Sequence, residues 1–168
     1  FWFFRNLTLN HIQNNISNKD SMMVLVGFAY RGSDEYLKNN QRMDISSLIL
    51  TGGWIESMQF SVMAYMQKGG DQIRNRIAEQ KQALNSLLKI LGNNPSPELT
   101  DVTKMLRELS DIYKDIQFKY QYAEPVTDTV KKVTYINSTS EVIVSDEQLN
   151  KIAVKIGEIR NKIVSIKS

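Results

Sequence analysis

The stretch Ser145-Asp146-Glu147-Gln148-Leu149-Asn150-Lys151-Ile152-Ala153-Val154-Lys155-Ile156-Gly157-Glu158-Ile159-Arg160-Asn161-Lys162-Ile163-Val164-Ser165-Ile166 carries the clearest pattern in the chain. Leu149, Ile152, Ile156, Ile159, Ile163 and Ile166 recur at alternating steps of 3 and 4, which puts one apolar seam on one face of a helix. Ser145 followed three residues on by Gln148 is a capping box, closing two otherwise orphaned amides at the helix start. Three heptads are short for a free-standing coiled coil, so the seam reads as a bundle helix facing its own core. A dimeric coiled coil is the sharper alternative.

The same grammar recurs upstream. Leu99, Val102, Leu106, Leu109, Tyr113, Ile116 and Tyr120 follow Ser96-Pro97, an N-cap and a first-turn proline. Asp71 opens another helix with Ile73, Ile77, Leu84, Leu87 and Leu91 on one face, closed by Gly92-Asn93-Asn94-Pro95. Gln80 falls on that seam and needs a partner, because an unpaired buried amide costs a few kcal/mol. Ile45 to about Gln67, with Asp44 as cap, is apolar almost all round, as befits a helix with neighbours on several sides. Asp20 or Ser21 to about Lys38 predicts one more helix, and the first 17 residues another, through Leu7, Leu9, Ile12 and Ile16.

One segment breaks the pattern. Val130 to Val144 is rich in β-branched residues, with Val133 and Tyr135, then Val142 and Val144, alternating with polar neighbours. This predicts a hairpin turning at Asn137-Ser138-Thr139-Ser140, or an extended strap, inside a non-helical excursion over 123–145. Val133, Tyr135, Val142 and Val144 would lie on the helices, with Lys132 and Thr134 outward. The expected fold is therefore all-α: an up-and-down bundle of about five helices in a single domain over 1–168, with a short hairpin or strap before the last helix.

Composition bounds the chemistry. Cysteine is absent and His11 is the one histidine among 168 residues, which leaves no disulfide, cysteine nucleophile or multi-histidine metal site. No cofactor or metal is expected. Twenty-one basic against 18 acidic residues give a net +3, but the signs interleave. Pro97 to Gln121 holds five acids and four bases, and no Lys/Arg-rich run or aromatic–basic ladder appears, so nucleic acid is not an expected partner. The longest apolar tract, Leu48 to Met66, is interrupted by Thr51, Glu56, Ser57, Gln59 and Ser61, and reads as a central bundle helix rather than a membrane span. The opening Phe1-Trp2-Phe3-Phe4, without a starting methionine, reads as a fragment or a processed chain.

Two clusters are candidate sites. In Gly52-Gly53-Trp54-Ile55-Glu56, each mid-helix glycine costs roughly 1 kcal/mol against alanine, which calls for compensation. Close approach of another helix backbone would supply it, and a ligand against the bare backbone is the sharper alternative. Glu56 on so apolar a helix is expected buried and partnered. It lies 13 positions before Gly69, whereas Arg76 lies only 6 after Gly70, so Gln80 is the better-matched partner in an antiparallel pair and Arg76 reaches only if the helices are offset. As a general base Glu56 would need a second group that the sequence does not supply, so a structural carboxylate is the preferred reading. Arg31, Asp34 and Glu35, beside Tyr36, form the second polar cluster, with spacings suited to helix-surface pairs.

Several of these segments carry a family resemblance. Asn18-Lys19-Asp20-Ser21, Phe28 to Leu37 (FAYRGSDEYL), Gly52-Gly53-Trp54-Ile55-Glu56, Arg76-Ile77-Ala78-Glu79-Gln80-Lys81, Tyr122 to Asp128 (YAEPVTD), Ile136-Asn137-Ser138 and Ser145 to Leu149 resemble, in order, the C-terminal part of an uncharacterised all-helical family of bacterial cell-envelope lipoproteins. The resemblance implies a further helical half and a lipid-anchored cysteine upstream, a periplasmic or envelope location, and membrane attachment only through that anchor. The cytoplasm is the alternative compartment. The function expected is a non-catalytic interaction or structural module, not an enzyme, with an unknown protein partner and a monomeric or weakly dimeric state. The alternative is a small-ligand sensor or carrier with its site near Gly52, Gly53, Trp54, Glu56, Arg76 and Gln80.

Overall fold

A computed structural model describes residues 10–95 and 97–165; the expected cap at Ser96, the aromatic opening and Ile166 lie outside the described residues. Residues 10–15 are helical. The main helices follow as α1 (Lys19–Asn39), α2 (Met43–Lys68), α3 (Asp71–Asn93), α4 (Thr100–Tyr113, after a 3-10 turn at Pro97–Leu99) and α5 (Asp146–Val164). Four short strands, β1 (Gln117–Gln121), β2 (Val126–Asp128), β3 (Val133–Tyr135) and β4 (Thr139–Ile143), stand between α4 and α5. The chain is thus an all-α bundle with a β-structured insertion before its last helix. It falls into two compact units, Phe1–Ile49 and Leu50–Ser168.

In the first unit Asn18 caps α1, its side chain accepting from the Ser21 amide at 3.0 Å. Asp34 of α1 accepts from Ser46 Oγ at 2.7 Å and from Lys38 Nζ at 2.5 Å. No residue of α1 is buried.

The second unit holds the core. Ile55, Met58 and Val62 of α2, Ile77, Leu84, Leu87 and Leu91 of α3, Val102, Leu106 and Leu109 of α4, and Leu149, Ile152, Ile156 and Ile159 of α5 are all buried. The last seam therefore faces its own bundle, as the three-heptad length argued, and both bonds of the Ser145–Gln148 capping box are made. Gly69 and Gly70, with φ of 63° and 104°, form the α2–α3 turn, where L side chains are strained.

The insertion differs from the expected one in extent and in the place of its turn. It begins after Tyr113, not at 123, and α4 does not reach Tyr120. β1 pairs antiparallel with β4 (Phe118 opposite Val142, Tyr120 opposite Ser140), and β2 pairs with β3 inside that loop, Val126 opposite Tyr135. These are two separate two-stranded sheets, nested in the chain and joined end to end as a ribbon through Ala123 and Ser138. Its turn is Thr129–Lys132: Asp128 Oδ1 accepts from the amides of Val130 and Lys131, each at 3.0 Å, and Lys132 takes φ 55°. An aspartate that caps its own turn outcompetes the run of small polar residues at 137–140. Ser138 sits at the joint between the ladders, its hydroxyl bridging the amide and carbonyl of Ala123, 3.1 Å each. Of the side chains expected on the helices, Val144 is buried and Val142 half-buried, whereas Val133 and Tyr135 are exposed.

Candidate functional site

The Gly52–Glu56 face is built differently from the register argument. Glu56 is not buried: its side chain is 42% exposed and its Oε1 accepts from Arg160 Nε of α5 at 2.8 Å. Gln80 Oε1 accepts instead from Trp54 Nε1, at 3.2 Å. Gln80 thus finds a partner across the bundle, but the indole rather than the carboxylate. The comparison of depths considered only the next helix in the chain, while the group that reaches Glu56 is 104 residues away. Arg76 pairs within its own helix with Glu79, at 3.1 Å. A Cβ placed on Gly52 meets nothing within 4 Å, so no close helix crossing compensates that glycine. Gln80 Nε2 also donates to the Arg76 carbonyl at 3.4 Å, but the side chains fall into three pairs: Trp54 with Gln80, Glu56 with Arg160 and Arg76 with Glu79.

The Arg31 cluster is likewise distributed along its helix. The Arg31 guanidinium lies over the Phe28 ring, 4.9 Å from its centre. Asp34 is taken by Lys38 and Ser46, and these hydrogen bonds hold its carboxyl below the usual carboxylate range. Tyr36 is exposed, and its carbonyl accepts from the Asn40 side chain at 2.7 Å.

A group of long-range polar contacts lies where the ribbon meets the bundle, and α3 supplies its cations. Arg74, Ile77, Ala78 and Lys81 share one stripe of that helix, at steps of 3, 1 and 3. Ile77 and Ala78 are buried. Lys81 Nζ donates to the carbonyls of Lys114 at 3.0 Å and Ile116 at 2.9 Å, closing the end of α4 and the foot of β1. Arg74 donates to the Val144 carbonyl at the foot of β4 and approaches Asp146 at 3.9 Å, where Tyr65 also donates at 3.4 Å. Between the two cations, Tyr113 donates its buried hydroxyl to the Ile77 carbonyl at 2.8 Å. Burial pushes that phenol upward, because the phenolate would lose its hydration. Ile116 and Val144, the residues at the two feet, are buried. Sequence reading missed the clamp; the visible signal was a cation at each end of an otherwise apolar stripe.

Above its clamped feet the ribbon is exposed. Phe118 and Tyr120 share one face of the β1–β4 ladder, opposite Val142 and Ser140, while Lys119 opposite Glu141 occupies the other. Tyr120 and Tyr122 are 67% and 69% exposed. On the far side of α3 an open groove of about 680 Å³ is lined by Phe60, Ala64, Gln72, Ile73, Arg76 and Glu79 among others. Among the described residues no group of three or more His, Asp or Glu side chains is placed to hold a metal ion. Nor is any described helix long and apolar enough to cross a membrane. Compared with protein-family models, with curated proteins and with solved structures, the chain matches none.

Proposed function

We propose that the chain is a non-catalytic interaction module in which a helical core carries a β-ribbon for a protein partner. The observation behind this reading is the contrast between the ribbon's base and its length. Two buried side chains, Ile116 and Val144, and two cations of one helix fix the base. Beyond it, Phe118, Tyr120, Tyr122, Val126 and Tyr135 remain exposed. Ordering such a segment costs conformational entropy, and aromatic rings in water return none of it until something covers them. The polar groups that a ligand site near Gly52 would use are already engaged by Arg160 and Trp54. We place the module at the bacterial cell envelope on the strength of the segment resemblance.

The test uses Tyr120→Ser with Tyr122→Ser, the two most exposed rings of the ribbon. The double variant should melt like the parent chain and lose the partner captured from envelope extracts. Undiminished capture, or a thermal shift produced by one metabolite in a small-molecule screen, would overturn the reading. Recovery of the native protein from the soluble cytoplasmic fraction would overturn the compartment.

A further inference from the structure

Helix α1 is 21 residues long and contains Met22-Met23-Val24-Leu25-Val26-Gly27-Phe28-Ala29-Tyr30, yet none of its residues is buried. Its half-buried positions include Met22, Leu25 and Ala29 on one side. Met23, Val24, Val26, Phe28 and Tyr30 are exposed, Met23 at 66% and Phe28 at 57%. On a helical projection these five span the opposite arc, with Gly27 at its middle. Met23, Val26 and Tyr30 flank Gly27 on one side, Val24 and Phe28 on the other. A Cβ at Gly27 would meet nothing within 4 Å, so the arc is an apolar surface with a notch along its centre line.

We infer that this notch seats the same helix of a second copy of the chain, the two α1 helices crossing antiparallel at their Gly27 residues. Three observations select this occupant. The area suffices: at the exposures given, the five side chains offer roughly 100 Å² each, so two copies bury about 1,000 Å², the lower bound for a specific interface. The charge is balanced, with Lys19, Arg31 and Lys38 against Asp20, Asp34 and Glu35, unlike the Lys/Arg-rich face of a helix that lies on an anionic membrane. The order of charges also fits one direction. Antiparallel crossing at Gly27 sets Glu35 level with the partner's Lys19 and Arg31 within a turn of the partner's Asp20; Asp34, level with that same aspartate, is already paired with Lys38, whereas a parallel pair sets every charge against its own copy. The glycine then allows a close approach that a bulky residue would prevent.

The 168-residue sequence holds no cysteine of its own, which makes the test direct. The full chain should show a reversible monomer–dimer equilibrium in sedimentation at micromolar concentration. Gly27→Cys should form a disulfide-linked dimer under mild oxidation, since a crossing there brings the two Cα atoms within bridging distance. Lys38→Cys should not, because antiparallel helices hold those two positions about 33 Å apart. Phe28→Glu should shift the equilibrium to monomer without changing helix content. A chain that stays monomeric throughout, cross-linking of Lys38→Cys as fast as Gly27→Cys, a dimer that survives Phe28→Glu, or anionic vesicles binding the chain in place of its own copy would each overturn the inference.

Discussion

Replacing Lys81 with Met removes a cation while keeping most of the stem, so it isolates what the clamp at the ribbon's foot contributes. Two carbonyl oxygens lose their donor. That of Lys114 is exposed and water can replace the ammonium there at little cost. That of Ile116 is partly sheltered, beside a side chain that is fully buried. A hydrogen bond to a charged donor contributes about 1.5–3 kcal/mol, and exposure reduces the outer one to a fraction of that, so the expected loss is about 2 kcal/mol. Confined to the ribbon, that is a roughly 30-fold rise in the local opening equilibrium. Amide hydrogen exchange reads it: protection over Gln117–Gln121 and Thr139–Ile143 should fall by about that factor. The core amides of α4 around Leu106 should be unaffected, and Lys81→Arg should restore most of the protection. If ribbon exchange is unchanged, or if core and ribbon amides accelerate together, the clamp is not what holds the foot.

Three further outcomes follow from the same packing. Ile156→Ala should destabilise the monomer by about 2–5 kcal/mol, lowering Tm by roughly 5–15 °C at this chain length; loss of a dimer with unchanged melting would instead make the last helix an interface. Tyr113, raised by burial, keeps its proton in the folded state after the unfolded chain would release it near pH 10. Its contribution is therefore complete below about pH 10 and is lost as pH rises further, so urea titrations at alkaline pH should show a decline that Tyr113→Phe lacks. Gly52→Ala, at a helix position with open space for a methyl group, should stabilise by about 0.5–1 kcal/mol, and a lower melting point would reveal a constraint on that backbone.

The helices were legible because their signals are local. Asp71 opens α3, Gly69-Gly70 turns the chain, and Ser145 with Gln148 closes the start of α5, while α1, expected from Asp20 or Ser21, starts at Lys19 on an Asn18 cap that the reading passed over. β1 was hidden by a coincidence of periods. From Ile116 to Tyr120 is a step of four, which is one helical turn or two strand alternations, so the spacing of the α4 seam carries on where the backbone has already become extended. Without β1 the partner of β4 was missing, and the small polar residues at 137–140 were read as a turn rather than as the joint of a longer ribbon. The Glu56 pairing was illegible for another reason. Which cation stands beside a carboxylate depends on how non-consecutive helices pack, and Arg160 carries no local mark that points to Glu56.

The nesting of the two ladders bears on how the bundle assembles. α4 and α5 must meet across some thirty residues of chain, and closing a flexible loop of that length costs more than closing a short one by about (3/2)RT per unit of ln n. Because β2 and β3 meet across the Asp128 turn, and β1 and β4 then meet across them, each closure spans only a few free residues beyond the one before it. Once formed, the ladders hold Gln117 and Ile143 side by side whether or not α4 and α5 have met. The loop between those helices is shortened from about thirty residues to about four, which lowers the entropic barrier to their docking by about 2 kcal/mol. Hairpins as a class close within about 1–10 μs. Lengthening the segment between β2 and β3 with flexible residues should therefore slow the folding of helices that the inserted residues never touch.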